Sequence, residues 1–119
     1  FTLALGHIVP LRVVVGEVAG LVKPGGRLLF SDFHPQAAAT GWRRTFRSNG
    51  RAYEIENHPY PTAGLLQQAR AAGLTLEEML DPPFGEPERD LFRRAGREDL
   101  FEQTRGVPAV LIAVWRRTL

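Results

Sequence analysis

Cysteine is absent from this 119-residue sequence. Disulfides, thiolate nucleophiles and zinc–thiolate centres are thereby excluded. Lysine is nearly absent, and Lys23 is its only representative. No run of about 18 apolar residues exists, so no membrane-spanning helix is expected. Phe1-Thr2-Leu3-Ala4-Leu5 has no basic n-region and no small-residue cleavage site, so no signal peptide is read there. The chain also lacks an initiator Met, which points to a fragment or a processed chain. There is no nucleic-acid motif and no row of stacking aromatics. A cytoplasmic setting is the default expectation.

What is present reads as one modest globular domain spanning residues 1–119, with 44% hydrophobic and 24% charged residues. The net charge is +2, carried almost wholly by Arg. Arg43, Arg44, Arg47 and Arg51 form one cluster, and Arg89, Arg93, Arg94 and Arg97 another. The second alternates with Glu86, Glu88, Asp90 and Glu98, the pattern of a solvated helix face. The first is read as solvated strand positions, or as a face toward a phosphate or an acidic substrate.

The chain is organised around residues 21–35, Leu-Val-Lys-Pro-Gly-Gly-Arg-Leu-Leu-Phe-Ser-Asp-Phe-His-Pro. Pro24 cannot continue a helix, and Gly25-Gly26 supply positive φ for a turn. Arg27 to Phe30 suits a strand buried on both faces. Upstream, Leu11, Val14, Val15, Val18, Leu21 and Val22 recur at spacings of three and four, one apolar helix face. A helix delivering a buried strand is half of a βαβ unit, so a parallel sheet is expected. Asp32 and His34 stand at that strand's carboxyl end, where open α/β sheets bind ligands. Phe1 to Leu5 fits the last part of another buried strand, and residues 6–10 a turn.

Residues 36–59 read as a polar insertion. Asn49-Gly50 between residues 45–48 and 51–55 is the signal of a hairpin with a type I′ turn. A lone hairpin is marginal, so it must pack on the body or on a partner. A helix follows from about Thr62, its expected N-cap, with Leu65, Leu66, Ala69 and Ala72 on its apolar face and Gly73 at its end. Residues 74–80 form a strand whose even-numbered Leu74, Leu76 and Leu80 point one way, interrupted by Glu78. Residues 86–104 make one helix or two, broken near Gly96. Pro108 opens an apolar, central strand over 109–115.

The run Glu17-Val18-Ala19, then Leu21-Val22-Lys23-Pro24-Gly25-Gly26-Arg27-Leu28-Leu29, resembles the helix-D-to-strand-5 segment of class I S-adenosylmethionine-dependent methyltransferases. Ser31-Asp32-Phe33-His34-Pro35 resembles the small-molecule branch, and Ala72-Gly73-Leu74 the step from helix E to strand 6. The resemblance implies an α/β fold: the C-terminal half of a Rossmann-like methyltransferase sheet, strands 4-5-7-6, with flanking helices and an inserted hairpin. It also implies that the cofactor is S-adenosylmethionine. His7 matches a His common after strand 4, while Pro10 stands near a usual Asp. Gly6 and His7 are therefore the cofactor-side candidates. The first three family strands have no counterpart, and no G-x-G segment exists here to cradle the cofactor.

The catalytic candidates are His34, His7 and Asp32. His34 precedes Pro35, is held extended, and projects into the site or serves structure. His7 is a turn histidine or a base toward an acceptor; Asp32 is a turn or cap residue or orients substrate. Trp42 and Tyr60 line an apolar substrate pocket or pack the insertion; His58, before Pro59, is a turn residue or, as the resemblance implies, lies on the returning substrate-side loop. No metal is expected, because the histidines show no short ligand spacing. The implied function is methyl transfer to a small-molecule acceptor, with this chain alone truncated and inactive. Two alternatives stand beside it: a non-catalytic remnant acting as an interaction module, and another α/β enzyme using Asp32 and His34 as an acid/base pair. A strand-4 edge left open predicts a homodimer or swapped assembly.

Overall fold

The computed structural model describes residues 1–118. Helix α1 (Leu11–Leu21) leads into β1 (Arg27–Phe33), then a short α2 (Pro35–Ala39) and the hairpin β2 (Arg44–Ser48) and β3 (Arg51–Ile55). Helix α3 (Thr62–Ala71), β4 (Leu74–Leu80), α4 (Glu86–Arg94), α5 (Glu98–Thr104) and β5 (Val110–Arg117) complete the chain. The main sheet has the order β1-β5-β4, and both pairings are antiparallel. The expected parallel sheet is thus corrected: β1 and β4 do run parallel, but β5 lies between them in the opposite sense. The central place expected for the last strand holds.

Parallel pairing survives at one margin. Thr2 bridges Ser31 in parallel, Leu3 N donates to Ser31 O at 2.7 Å, and Ser31 N donates to Phe1 O at 3.0 Å. Residues 1–3 are therefore a strand stub beside β1, and the chain turns away through a 3-10 turn at Leu5–His7. Strand β1 runs three residues past the expected Phe30, to Phe33.

The Lys23–Gly26 turn explains how α1 reaches β1. Gly26 N donates to Lys23 O at 2.8 Å, with Pro24 at the second position and Gly25 at the third, φ 77°. That is a type II turn. Only Gly25 needs the positive φ expected of both glycines. Gly26 is required for space, since a Cβ there would sit 2.9 Å from Lys23 O.

Helices α1 and α3 cover one face of the sheet. Val14, Val15, Ala19, Leu65 and Ala69 bury against Phe30, Leu74, Leu111, Ala113 and Trp115. The other face is largely bare. Leu29, on β1, is 63% exposed, and Leu80, on β4, is 50% exposed. The expectation of strands buried on both faces is therefore corrected for β1. Likewise Leu21 and Leu76, read from periodicity as inward, are exposed. Thr62 is the first helical residue of α3, and Pro61 takes the cap position. A second cluster lies below the sheet's end, where Ala37 of α2, Phe84, Phe92 of α4, Phe101 of α5 and Ala109 pack together. The expected break between α4 and α5 falls at Gly96, φ 68°.

The hairpin forms as read. Ser48 pairs with Arg51, Asn49 and Gly50 have φ of 51° and 76°, and Phe46 stacks on Tyr53 at 5.1 Å. It does not lie down on the body: Phe46, Tyr53 and Ile55 are all exposed. This arm, together with the half-bare sheet, gives a radius of gyration of 16.1 Å. A compact domain of this length has about 13–14 Å.

Strand β4 contains a bulge between Leu76 and Glu78. The extra residue, Glu77, reaches across the sheet to Arg27 Nε of β1 at 2.8 Å and Arg116 Nε of β5 at 2.5 Å. Hydrogen bonds from the two guanidinium groups hold its carboxyl below the usual 4.5. A lowered folded-state pKa stabilises the fold above the unfolded value and loses that contribution as pH falls through the folded one. Glu77→Gln should therefore lower the denaturation midpoint at pH 7, and the deficit should vanish in acid well below pH 4.5. Phe101, fully buried, should cost about 3–5 kcal/mol in urea unfolding when changed to Ala.

Candidate functional site

The carboxyl ends of the stub and of β1 converge on Asp32, which is 7% exposed. Its alternation on β1 turns it inward, and burial obliges the carboxylate to find donors. Oδ2 accepts from Gly6 N at 3.0 Å. Oδ1 accepts from Phe33 N at 2.8 Å and from Arg44 Nη2 at 2.6 Å. The Arg44 side chain is itself only 13% exposed, and its guanidinium lies 4.6 Å above the Phe33 ring. Its Nη1 donates to Leu3 O at 3.1 Å and to His7 Nε2.

That last bond assigns the His7 tautomer: Nε2 accepts, so Nδ1 carries the proton in the neutral ring and donates to Glu56 O at 3.2 Å. The loop at 56–60 is stitched to the 5–8 turn by two further bonds. His58 N donates to Gly6 O at 2.7 Å, and Tyr60 Oη donates to Ile8 O at 2.6 Å. The His58 ring faces the Glu56 carboxylate at 3.3 Å. The Asn57 side chain fills the space over Gly6, where a Cβ would meet Asn57 Oδ1 at 2.2 Å.

His34 follows β1 and is 5% exposed. Its Nδ1 accepts from Gln36 N at 3.1 Å, capping α2. Its Nε2–H then donates to Asp81 Oδ1 at 2.9 Å. Both ring nitrogens are engaged, and the partner is Asp81, not Asp32. The structure thus joins Asp32 and His7 through Arg44 and gives His34 its own pair, which removes the basis for an Asp32–His34 acid/base couple.

Trp42 belongs to an aromatic chain, with ring centroids 5.8 Å from Phe33, 5.1 Å from Phe84 and 5.8 Å from Phe92. Beside it, α2, Trp42, Arg43, Arg44, the hairpin residues Glu54 and Ile55, and Asn57 and Pro59 line an open cleft of about 420 Å³. His58 and Tyr60 line a smaller hollow of about 20 Å³ over Asp32. Among the described residues no group of three His, Asp or Glu side chains gathers as a metal set.

Arg44 was missed by reading its cluster as solvated. Arg43, Arg47 and Arg51 are exposed, whereas Arg44 is pulled in. Asp81 and Asn57 were missed as well. No local signal marks any of the three, because each is defined by a partner more than ten residues away.

Solved structures share this fold. The chain superposes over 98% of its length on 59% of an S-adenosylmethionine-dependent methyltransferase from Mesorhizobium loti, with TM-score 0.64 and 19% identity. It covers 60% of a Listeria monocytogenes protein assigned to the same class, with 99% of its own length aligned, TM-score 0.66 and 20% identity. The [4+2]-cyclase SpnF matches over 99% of this chain and 49% of its own, with TM-score 0.58 and 15% identity. No protein-family model and no curated protein matches the chain. The likeness establishes the fold, part of a Rossmann-like sheet, and the chain spans about 60% or less of each neighbour's length.

The residues at the end of the stub do not by themselves fit S-adenosylmethionine. Gly6 N–H is held by Asp32, the space over Gly6 is filled by Asn57, and both His7 nitrogens have protein partners. They serve this chain's own packing. Removing Arg44 would strand the Asp32 charge in the interior, so Arg44→Met should cost about 3–5 kcal/mol in chemical denaturation. Asp32→Asn combined with it should recover a large part of that loss, because the unpaired charge is gone.

Proposed function

We propose that this chain is the acceptor-side half of an S-adenosylmethionine-dependent methyltransferase that acts on a small molecule. The observation carrying this reading is the superposition of almost the whole chain on two structures of that class, with a ready-made cleft at the sheet's carboxyl end. In this reading Trp42 forms a wall of the acceptor cleft. His58 and Tyr60 shape its neighbouring hollow, and the Asp32–Arg44–His7 network fixes the loops around them. His34 acts as a positioning residue through α2. Methyl transfer is a direct displacement, so catalysis rests on holding donor and acceptor in line. A chain without a cofactor cradle does not do so alone, and is inactive by itself. The setting proposed is cytoplasmic.

A second reading is an assembly module. The open edge of residues 1–3 and the bare Leu29–Leu80 face favour it. Unpaired edges recruit strands, so a homodimer or swapped pair through the stub is its signature. SpnF, a cyclase on the same fold, illustrates that the fold does not dictate the reaction.

Calorimetric titration with S-adenosylmethionine and its demethylated product separates these readings. The folded 119-residue chain should give no binding heat. The full-length protein should bind at micromolar strength, roughly −8 kcal/mol. Micromolar binding by the chain alone would sink the half-site reading. Absence of binding by both would sink methyl transfer and leave the module, whose dimer light scattering would detect.

A further inference from the structure

Among the described residues, two buried side-chain N–H groups have no partner: Trp42 Nε1 and Arg44 Nε. Buried donors are almost always satisfied, so two orphans one residue apart call for an acceptor. Both residues line the same two spaces. One is a small hollow of about 20 Å³, shared with Phe33, Ala37 and Asn57. The other is the open cleft of about 420 Å³. The hollow holds one oxygen-sized atom, and the cleft falls in the range that takes a small ligand.

We propose that this cleft binds a small molecule with an apolar or aromatic body and one unprotonated, sp²-type oxygen. That oxygen, a carbonyl or carboxylate, accepts from Trp42 Nε1–H and Arg44 Nε–H together. Calling this ligand the methyl acceptor rests on the reading above; the binding chemistry does not. Indole and guanidinium nitrogens donate and never accept, which excludes an ammonium or other donor-only group at this point. The charges around it are already matched. Arg44 Nη2 faces Asp32 at 2.6 Å, and Arg43 faces Glu54 at 3.5 Å. The unmet need is therefore hydrogen-bond acceptance more than net negative charge. Pro35, Ala38, Ala39, Ile55 and Pro59 supply the apolar walls.

Acetophenone and ethylbenzene differ by a carbonyl in place of a methylene, and so isolate the claim. The full chain is titrated with each by ligand-observed NMR, with no S-adenosylmethionine present. Failure here is then separate from failure of cofactor binding. Acetophenone should bind about tenfold tighter, the worth of one good hydrogen bond. Trp42→Phe keeps a ring, deletes one of the two donors and leaves Arg44 Nε–H, and should cut that preference to about threefold. Trp115→Phe, in the distant core, should keep it. In the unaltered protein the Trp42 indole N–H resonance should shift with acetophenone and stay put with ethylbenzene, a readout that needs no variant. Equal affinities, no saturable acetophenone binding, a preference undiminished by Trp42→Phe, or an unmoved Trp42 resonance would each overturn the proposal.

Discussion

The carboxylate of Asp32 is where three separate parts of this chain meet. It faces inward because β1 alternates, and at 7% exposure it has almost no water to solvate it. An ionised group so placed must be paired and hydrogen-bonded. Gly6 N–H and Phe33 N–H meet part of that need, and Arg44 supplies the counter-charge. Arg44 in turn starts β2, so the hairpin leaves the body from a point fixed by this ion pair. His7 and the loop at 56–60 then take their places around the guanidinium. The cleft beside Trp42 has its shape because this anchor holds one wall while the aromatic chain through Phe84 and Phe92 holds the other.

The sheet obeys a different constraint. Its central strand, β5, is the last to be made, so β1 and β4 have no hydrogen-bonded neighbour in common until the chain ends. Both contacts of β5 are therefore long-range, with Arg27 opposite Arg116 and Leu74 opposite Arg117. Glu77 reinforces the closure by reaching from the bulge of β4 to both other strands. Helices α1 and α3 cover one face only. Exposed Leu29 and Leu80 on the other face, and the stub's open edge, give the molecule the surface of a domain interior. The chain spans about 60% or less of the length of each of its solved neighbours.

Local chemistry was legible wherever a residue type has one conformational use. The Lys23–Gly26 turn, the Asn49-Gly50 hairpin, the end of α3 at Gly73 and the break at Gly96 could all be read from Gly, Pro and Asn. Periodicity placed α1, α3, β4 and β5 to within a residue or two. It failed for burial. Leu21 and Leu76 carry the right spacing, but a spacing says only which residues share a face, not whether anything covers it. The parallel sheet failed for a similar reason. A helix between two strands implies parallel strands, and β1 and β4 are parallel; no local signal puts β5 between them, and only the resemblance, with its order 4-5-7-6, placed the last strand there.

By itself, the sequence determined the elements, the turns joining them, the ban on thiol chemistry and the resemblance that pointed to a partial methyltransferase sheet. These follow from φ/ψ restrictions, helical and strand periodicity and composition, all properties of residues within a few positions of each other. The tertiary structure alone decided the site. Of four clustered arginines it buried Arg44 and left the others in solvent, because only Arg44 comes within reach of a buried carboxylate. It set His34 on Asp81 and His7 on Arg44. It also left two N–H groups unpaired beside the same cleft. Ion pairing and hydrogen-bond satisfaction are settled between groups distant in sequence, so they exist only once the chain is folded.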